Sequence, residues 1–156
     1  MKIIFLDIDG VLNCRDSKSR CGFYKGIDED KVKRLRKIVD ETDAKIILTS
    51  TWKNGWNKDA SLNDDMANYL NRKLKRQNLR ILDKTKDDGV HRGKGIIDTI
   101  NSFHNSLENW IVLDDEVFCD YEKLGILSHL VKTNYYTDGL QDHHVNLAIN
   151  LLNKEN

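Results

Sequence analysis

Short runs of apolar residues alternate along the chain with segments in which apolar residues recur every three or four positions. The clearest apolar runs cover residues 3–6, 45–50 and 110–113, and weaker ones cover residues 79–82 and 127–131. These runs are continuous and rich in branched aliphatic side chains. They therefore predict strands that are covered on both faces, as in a parallel sheet.

The segments between the runs have the period of amphipathic helices, and we place helices at residues 28–42, 62–77, 93–103 and 141–152. The first carries Val32, Leu35 and Ile38 on one face and opens with acidic residues, which the positive end of a helix favours. Alternating strands and helices predict a doubly wound α/β fold. At 156 residues, we expect one domain over 1–156.

Polar residues follow the predicted strands at the edge where ligands bind to such sheets. After the first run stands Asp7-Ile8-Asp9-Gly10, after the second Ser50-Thr51-Trp52, and after the fourth Asp114-Asp115, while Arg92 and Lys94 open the third helix. Each strand end that would face a common crevice thus carries a carboxylate or a hydroxyl. This coincidence is more informative than any one of the segments.

The acidic residues at these strand ends predict a magnesium site. Asp7 and Asp9 leave an extended chain on the same side, and Asp114 and Asp115 would add further carboxylates. Converging carboxylates repel one another unless a cation joins them, and Mg²⁺ prefers oxygen ligands completed by water. Gly10 has no side chain, so the backbone can turn there and a ligand can approach it.

The remaining polar residues suit a phosphoryl group. A hydroxyl such as that of Ser50, exposed backbone N–H groups and a cation, Arg92 or Lys94, would bind the phosphate oxygens. A carboxylate can then attack phosphorus while a second carboxylic acid protonates the leaving oxygen. The spacing gives Asp9 that second role.

Four segments resemble the four motifs of the haloacid dehalogenase (HAD) superfamily, in its phosphatase branch. They are Asp7-Ile8-Asp9-Gly10-Val11-Leu12, the strand ending at Ser50, the cation before a helix, and Ile111-Val112-Leu113-Asp114-Asp115. Four motifs in order are a specific signal. The resemblance implies a three-layer Rossmannoid fold with Asp7 as nucleophile and Asp9 as acid and base. It also implies Mg²⁺ held by Asp7, the Asp9 carbonyl, Asp114 and Asp115.

A narrower resemblance rests on Ser50-Thr51-Trp52, Arg92-Gly93, the Asp114-Asp115 pair and Val131-Lys132-Thr133. These segments are similar to a small family of HAD domains described alongside bacterial RNA-repair proteins. Two assignments stay open at this point. Arg92 is favoured over Lys94 as the phosphate cation because it directly precedes a small residue, and Ser50 is favoured over its hydroxyl neighbours.

The connections are too short for a large cap domain, so the site should be open, with a flap loop over residues 12–27. The candidate substrate-binding residues are Gly10, Arg15, Thr51 and Trp52. Cations interleaved with aromatics in the flap, including Phe23 and Tyr24, would suit a nucleotide or a nucleic acid end, although packing alone also accounts for them. Packing is the favoured account of Trp52.

Bulk composition narrows the setting. The 25 basic and 25 acidic side chains balance. The net charge of the chain therefore gives no indication of a nucleic acid partner. Three cysteines without a CxxC pair indicate a reducing compartment. No run has the character of a signal peptide or a membrane span, so we expect a cytoplasmic protein without a membrane partner. The sequence carries no signal for oligomeric state.

Other functions remain possible on the same fold. A signalling receiver domain is disfavoured, because the second strand ends in Ser50 where no aspartate can accept phosphate. A phosphatase or phosphotransferase acting on small metabolites stays open. A catalytically silent module that binds phosphate ends is disfavoured by the presence of both Asp7 and Asp9.

Overall fold

The computed structural model describes residues 1–154, with residue 105 described through its backbone alone. In chain order the elements are β1 (Lys2–Leu6), β2 (Arg20–Cys21), β3 (Tyr24–Lys25), α1 (Glu29–Thr42), β4 (Lys45–Leu48), α2 (Asp65–Lys75), β5 (Ile81–Lys84), α3 (Arg92–Ser102), β6 (Asn109–Asp114), β7 (Leu130–Lys132) and α4 (Asp142–Leu152). Five strands form a sheet in the order β5-β4-β1-β6-β7, and every pair is parallel. The expected extent of 1–156 includes residues 155 and 156, which lie outside the described residues.

Both faces of the sheet are covered, as the continuous apolar runs predict. Along β1, Ile4 and Leu6 pack in a cluster with the apolar faces of α1, α2 and α4. Ile3 and Phe5 point to the other face and pack with Ile96 of α3 and with the segment that follows β6. The two clusters make a three-layer α/β arrangement, which confirms the predicted Rossmannoid fold.

The connections leave no room for a cap domain. Between β1 and α1 the only regular structure is the antiparallel pair β2–β3, a small hairpin inside the expected flap. Between β4 and α3 lie α2, β5 and short 3₁₀ turns. The prediction of a fold without a cap is confirmed, and the sheet edge beyond β1, β4 and β6 is open.

Two strands begin later than the apolar runs predict. The third sheet strand begins at Ile81, two residues later than predicted, because the chain leaves α2 through Asn78 at φ 55° and Leu79 donates to the Leu74 carbonyl at 3.0 Å. The last strand begins at Leu130, since Leu127–His129 form a 3₁₀ turn. In both places a local hydrogen-bonded turn includes apolar residues that the pattern assigns to a strand.

No helix within residues 1–154 combines the length and the apolar character that crossing a bilayer takes. The three cysteines are all free thiols.

The end of β7 is tied to the acidic loop after β1. The backbone N–H of Thr133 donates to the Asp114 carbonyl at 3.0 Å, and the Thr133 hydroxyl donates to the Gly10 carbonyl at 2.6 Å. Thr133 is buried, so these bonds are shielded from water. The segments after β1 and at the end of β6 are thus both bonded to one residue, Thr133.

We expect Thr133→Val to lower the free energy of unfolding by about 1–3 kcal/mol, because it removes a buried donor and leaves the Gly10 carbonyl without it. Chemical denaturation measures the change. Thr137→Val is the matched control: its hydroxyl donates to the Asn134 carbonyl at 3.3 Å on the surface, so its effect should stay within about 0.5 kcal/mol. Equal losses in the two variants would contradict the role of the buried bond.

Candidate active site

Three neighbouring strands deliver polar residues to one edge of the sheet. Asp7 follows β1, Ser50 comes shortly after β4, and Asp114 ends β6. Backbone bonds extend the ladder past the strand ends: Asp7 donates to the Leu113 carbonyl and Thr49 to the Leu6 carbonyl, both at 2.9 Å. The register of the parallel sheet therefore fixes the positions of these residues relative to one another along the strand direction.

Arg92 lies between two buried carboxylates. Its Nη1 is 3.3 Å from Asp7 Oδ1 and 2.8 Å from Asp114 Oδ2. Burial raises the pKa of Asp7 well above its usual range, and the Asp114 charge raises it further, although Arg92 opposes both effects. One guanidinium thus faces more negative charge than it can balance.

Asp114 is the most enclosed of the acidic residues. Besides Arg92, its carboxylate accepts hydrogen bonds from the Glu116 backbone at 3.0 Å and from the Tyr121 hydroxyl at 3.3 Å. The Arg92 guanidinium also lies 4.1 Å from the centre of the Phe118 ring, a cation–π contact. Asp114 therefore holds Arg92 in place, while the buried Arg92 Nε has no hydrogen-bond partner among the described residues.

Asp115 is half-buried against Gly10. A Cβ atom at Gly10 would lie 2.3 Å from the Asp115 carboxylate, which excludes a larger residue by steric clash. Gly10 also has a φ of +81°, a conformation that favours glycine. Desolvation, followed by the charges of Asp114 and Glu116, raises the pKa of Asp115 to about 6. The turn after β1 is thus shaped to accept this carboxylate.

The acidic residues converge closely enough to share a cation. Oxygens of Asp7, Asp114 and Asp115 all lie within 4.8 Å of one another. The raised pKa values and the single Arg92 indicate uncompensated negative charge, which a divalent cation would relieve. Hard oxygen donors in this number fit Mg²⁺. Asp9, the fourth residue predicted to bind the metal, does not contribute its carboxylate to this cluster of described residues.

Asp9 is instead held by two N–H donors. Its Oδ2 accepts from the Trp52 indole at 3.0 Å, and its Oδ1 accepts from the Asn13 amide at 2.8 Å. Asn13 is fully buried, accepts from the Gly10 backbone and donates to the Gly26 carbonyl. The same side chain thus fixes the Asp9 carboxylate, the turn after β1 and the base of the β2–β3 hairpin.

The hydroxyl residues after β4 have different environments. Ser50 is buried, and its Oγ accepts from the Trp52 backbone at 3.3 Å, which starts the 3₁₀ turn at Thr51–Asn54. Thr51 is exposed and lines the cavity beside Asp7. Trp52 is only 5% exposed, in agreement with the packing interpretation, yet its indole N–H reaches Asp9.

Two predicted cations, Lys94 and Arg15, form ion pairs on the surface. The Lys94 side chain is 72% exposed and pairs with Asp98 at 2.5 Å. Arg15 is also exposed and pairs with Asp16 at 3.4 Å. Neither is among the described residues that line the cavity, so the geometry favours Arg92 as the cation of the site.

A cavity of about 520 Å³ opens over these groups. Its described lining comprises Asp7, Asp9, Thr51, Arg92, Asp115, Glu116, Lys132, Asn134, Tyr135 and Tyr136. A second cavity of about 470 Å³ lies beside it and shares Asp9 and Thr51. The carboxylate of Asp9 thus stands at the boundary between two recesses.

Several contributing residues were not predicted from the sequence. Asn13 is one, because its role depends on a burial that the sequence does not show. Asp120 is another: its carboxylate accepts from the backbones of Gly93 and Lys94 at the start of α3. Lys132 lines the cavity from the end of β7, in a segment that the narrower resemblance includes but to which no site role was assigned. Tyr135 and Tyr136 line it from the loop after β7, where no pattern marks them.

Comparison with known proteins gives one family. Searches of curated proteins and of solved structures returned no match. The model for the HAD domain in Swiss Army Knife RNA repair proteins matches residues 3–145, which include the three strand-end segments and Arg92 at the start of α3. The chain therefore belongs to this family of HAD domains.

Proposed function

We propose that this chain is a Mg²⁺-dependent phosphomonoester hydrolase that works through an aspartyl-phosphate on Asp7. The observation that carries the proposal is the placement of Asp7 beside Arg92, with the oriented Asp9 carboxylate on the wall of the same cavity. Membership in a HAD family supports a phosphatase-like activity of this kind.

The proposed reaction has two steps. A carboxylate oxygen of Asp7 attacks phosphorus, the bond from phosphorus to the leaving oxygen breaks, and protonated Asp9 gives that oxygen its proton. Asp9 then takes a proton from water as the water oxygen attacks phosphorus. The bond between phosphorus and Asp7 breaks, releasing inorganic phosphate and restoring Asp7. The Trp52 and Asn13 hydrogen bonds support this role because they fix where the Asp9 carboxylate points.

A magnesium ion would be held by Asp7, Asp114 and Asp115, with the backbone carbonyl of Asp9 as a further oxygen. When bound, Mg²⁺ neutralises the facing carboxylates and the phosphate charge. Arg92 would bind phosphate oxygens, since its guanidinium lines the cavity and a planar fork of N–H donors suits phosphate. The Ser50 hydroxyl and the exposed backbone at Thr51 are the proposed neutral donors.

The proposed substrate is a nucleotide or a nucleic acid end phosphate. The absence of a cap leaves the cavity open to a polymer, and the family description refers to RNA repair. The flap, residues 12–27, brings four basic and one acidic side chains to the region next to Asp9. We also propose that residues 1–156 form one domain with this flap. The three free thiols support a cytoplasmic location as part of the same proposal.

We expect Asp7→Asn to abolish Mg²⁺-dependent release of phosphate from a generic aryl phosphate, because an amide is not a competent nucleophile. Asp9→Asn should lower kcat by about 10²–10⁴-fold, the usual contribution of a positioned acid and base. Release of inorganic phosphate measures both. Asp7→Asn with parental activity would remove the nucleophile assignment.

The matched controls lie on other faces of the fold. Asp40→Asn, on the exposed side of α1 where Asp40 pairs with Arg36 at 2.6 Å, should retain activity. Lys94→Ala should retain it too, whereas Arg92→Ala should lose most of it. The opposite order for the two cations would make Lys94 the phosphate-binding residue.

We expect Mg²⁺ to raise the thermal midpoint of the parent by several degrees, because a ligand that binds only the folded state stabilises it. Asp115→Asn should remove most of that rise. It should also stabilise the metal-free protein, because it relieves the repulsion from Asp114 and Glu116. Calorimetry with Mg²⁺ or with chelator measures both effects, and Asp40→Asn should behave as the parent. A full Mg²⁺ response in Asp115→Asn would exclude this residue as a ligand.

A substrate panel tests the proposed class. We expect phosphorylated oligonucleotides or mononucleotides to exceed sugar phosphates in kcat/KM by about tenfold or more, the scale of aromatic stacking on a base. The panel should include 5′- and 3′-phosphorylated ends. A wide preference for sugar phosphates would instead support a small-metabolite phosphatase, and phosphate transfer to an added alcohol would indicate a phosphotransferase.

A further inference from the structure

The second cavity lies between the flap and the turn after β4, and we name it the hairpin groove. Its lining includes Tyr24, Lys25, Trp52, Met66 and Asp64, together with the shared Asp9 and Thr51. The Asp64 carboxylate accepts a hydrogen bond from the Ala67 backbone at the start of α2. Its volume of about 470 Å³ lies within the range of about 300–1,000 Å³ typical of small-ligand sites. Nothing in the hydrolytic chemistry itself uses this space.

Resting on the proposed function, we propose that the hairpin groove binds the nucleoside that carries the phosphate, at the end of a single-stranded nucleic acid. The position of Asp9 carries this inference. Phosphorus must lie beside Asp7 and Arg92 in the first cavity, whereas the leaving oxygen must lie at Asp9 to receive its proton. Asp9 lines both cavities, so the leaving group extends past it into the groove.

The lining of the groove suits a nucleoside better than a sugar. Tyr24 is 64% exposed and offers an aromatic ring, while Met66 and the buried Trp52 supply apolar surface. Lys25 donates one hydrogen bond, to the Arg15 carbonyl at 2.7 Å, and has further N–H donors for a backbone phosphate. An aromatic face beside a cation is the arrangement by which proteins hold unpaired bases without strong sequence preference.

The flap tip indicates a single strand. Phe23, next to Tyr24 in the turn of the β2–β3 hairpin, is completely exposed. A base inside a duplex is already stacked and paired, so it cannot offer its face to these rings, whereas an unpaired end can. The groove and the flap tip thus provide two neighbouring aromatic positions for successive bases.

The hairpin is anchored well enough to act as one wall. Gly26 donates to the Ser19 carbonyl at 2.7 Å, and the Tyr69 hydroxyl accepts from the Ile27 backbone at 3.1 Å. A Cβ atom at Gly26 would lie 2.5 Å from the Tyr69 oxygen, so α2 and the flap are in direct contact. The position of Tyr24 relative to Asp9 is therefore set by packing on α2 and by the Asn13 link.

The decisive experiment compares two single-stranded phosphorylated oligonucleotides, one with a terminal base and one abasic at the terminal position. In the parent, we expect the abasic end to lower kcat/KM by about fivefold or more. Tyr24→Ala should cause a similar loss on the intact end and little additional loss on the abasic end, because both changes remove the same contact. Tyr24→Phe, which keeps the ring, should retain most of the parental value.

Matched variants separate this site from the other possibilities. Tyr136→Ala removes an exposed ring that lines the first cavity and is not among the residues lining the groove, so it should cost less than Tyr24→Ala. Lys33→Ala, on the exposed face of α1, controls for general attraction of a polyanion and should match the parent. Independent losses from Tyr24→Ala and the abasic end, or a loss in Tyr136→Ala at least as large, would overturn the proposal.

The failure of this inference is distinguishable from failure of the hydrolase proposal. Turnover of an aryl phosphate tests the hydrolase alone, because that substrate has no base. If the parent turns over neither substrate, anisotropy of a labelled phosphorylated oligonucleotide gives binding constants for the same set of ends and variants. The same interdependence of Tyr24 and the terminal base is then expected in Kd, and its absence would overturn the groove assignment.

Discussion

The crowding of carboxylates around one arginine, at the open edge of a parallel sheet, is the constraint on which the site depends. Asp7 and Asp114 are both buried, and Arg92 lies within 3.3 Å of each. Burying like charges together is unfavourable unless they are paired, so the site depends on Arg92 staying in position. Phe118 packs on the Arg92 guanidinium, and the Tyr121 hydroxyl donates to Asp114, the carboxylate that pairs with Arg92. The residual negative charge is what makes a cation site at this edge physically reasonable.

Much of this arrangement could be predicted because parallel strands end at a common edge. The continuous apolar runs identify strands buried on both faces, and the polar residues that follow them must then converge. The sequence favours Arg92 over Lys94 because a small residue follows it, and helical geometry explains why the two side chains point in different directions. Arg92 is the first residue of α3 and points back to the sheet, whereas Lys94, about 200° further around the helix, points to Asp98.

The residues that sequence reasoning missed act through contacts distant along the chain. Thr133 reaches Gly10 across 123 positions, and Asp120 caps a helix 27 positions before it. Asn13 is close in sequence to Asp9, but its role depends on burial. An exposed asparagine in a loop would bond to water and would not orient the Asp9 carboxylate. The sequence pattern predicts where strands end, whereas the hydrogen bonds that hold the side chains there form only in the folded chain.

The flap also changes how a chain without net charge meets a polyanion. Residues 12–27 contain four basic and one acidic side chains, so the remainder of the chain holds 21 basic and 24 acidic ones. The flap therefore carries a local excess of positive charge beside Asp9, whereas the rest of the chain has a small excess of acidic side chains. Under the proposed function this local excess would attract an approaching strand to the flap, and salt weakens the attraction over distances beyond about 8 Å at physiological ionic strength. A chain without net charge can thus still attract a polyanion to one segment.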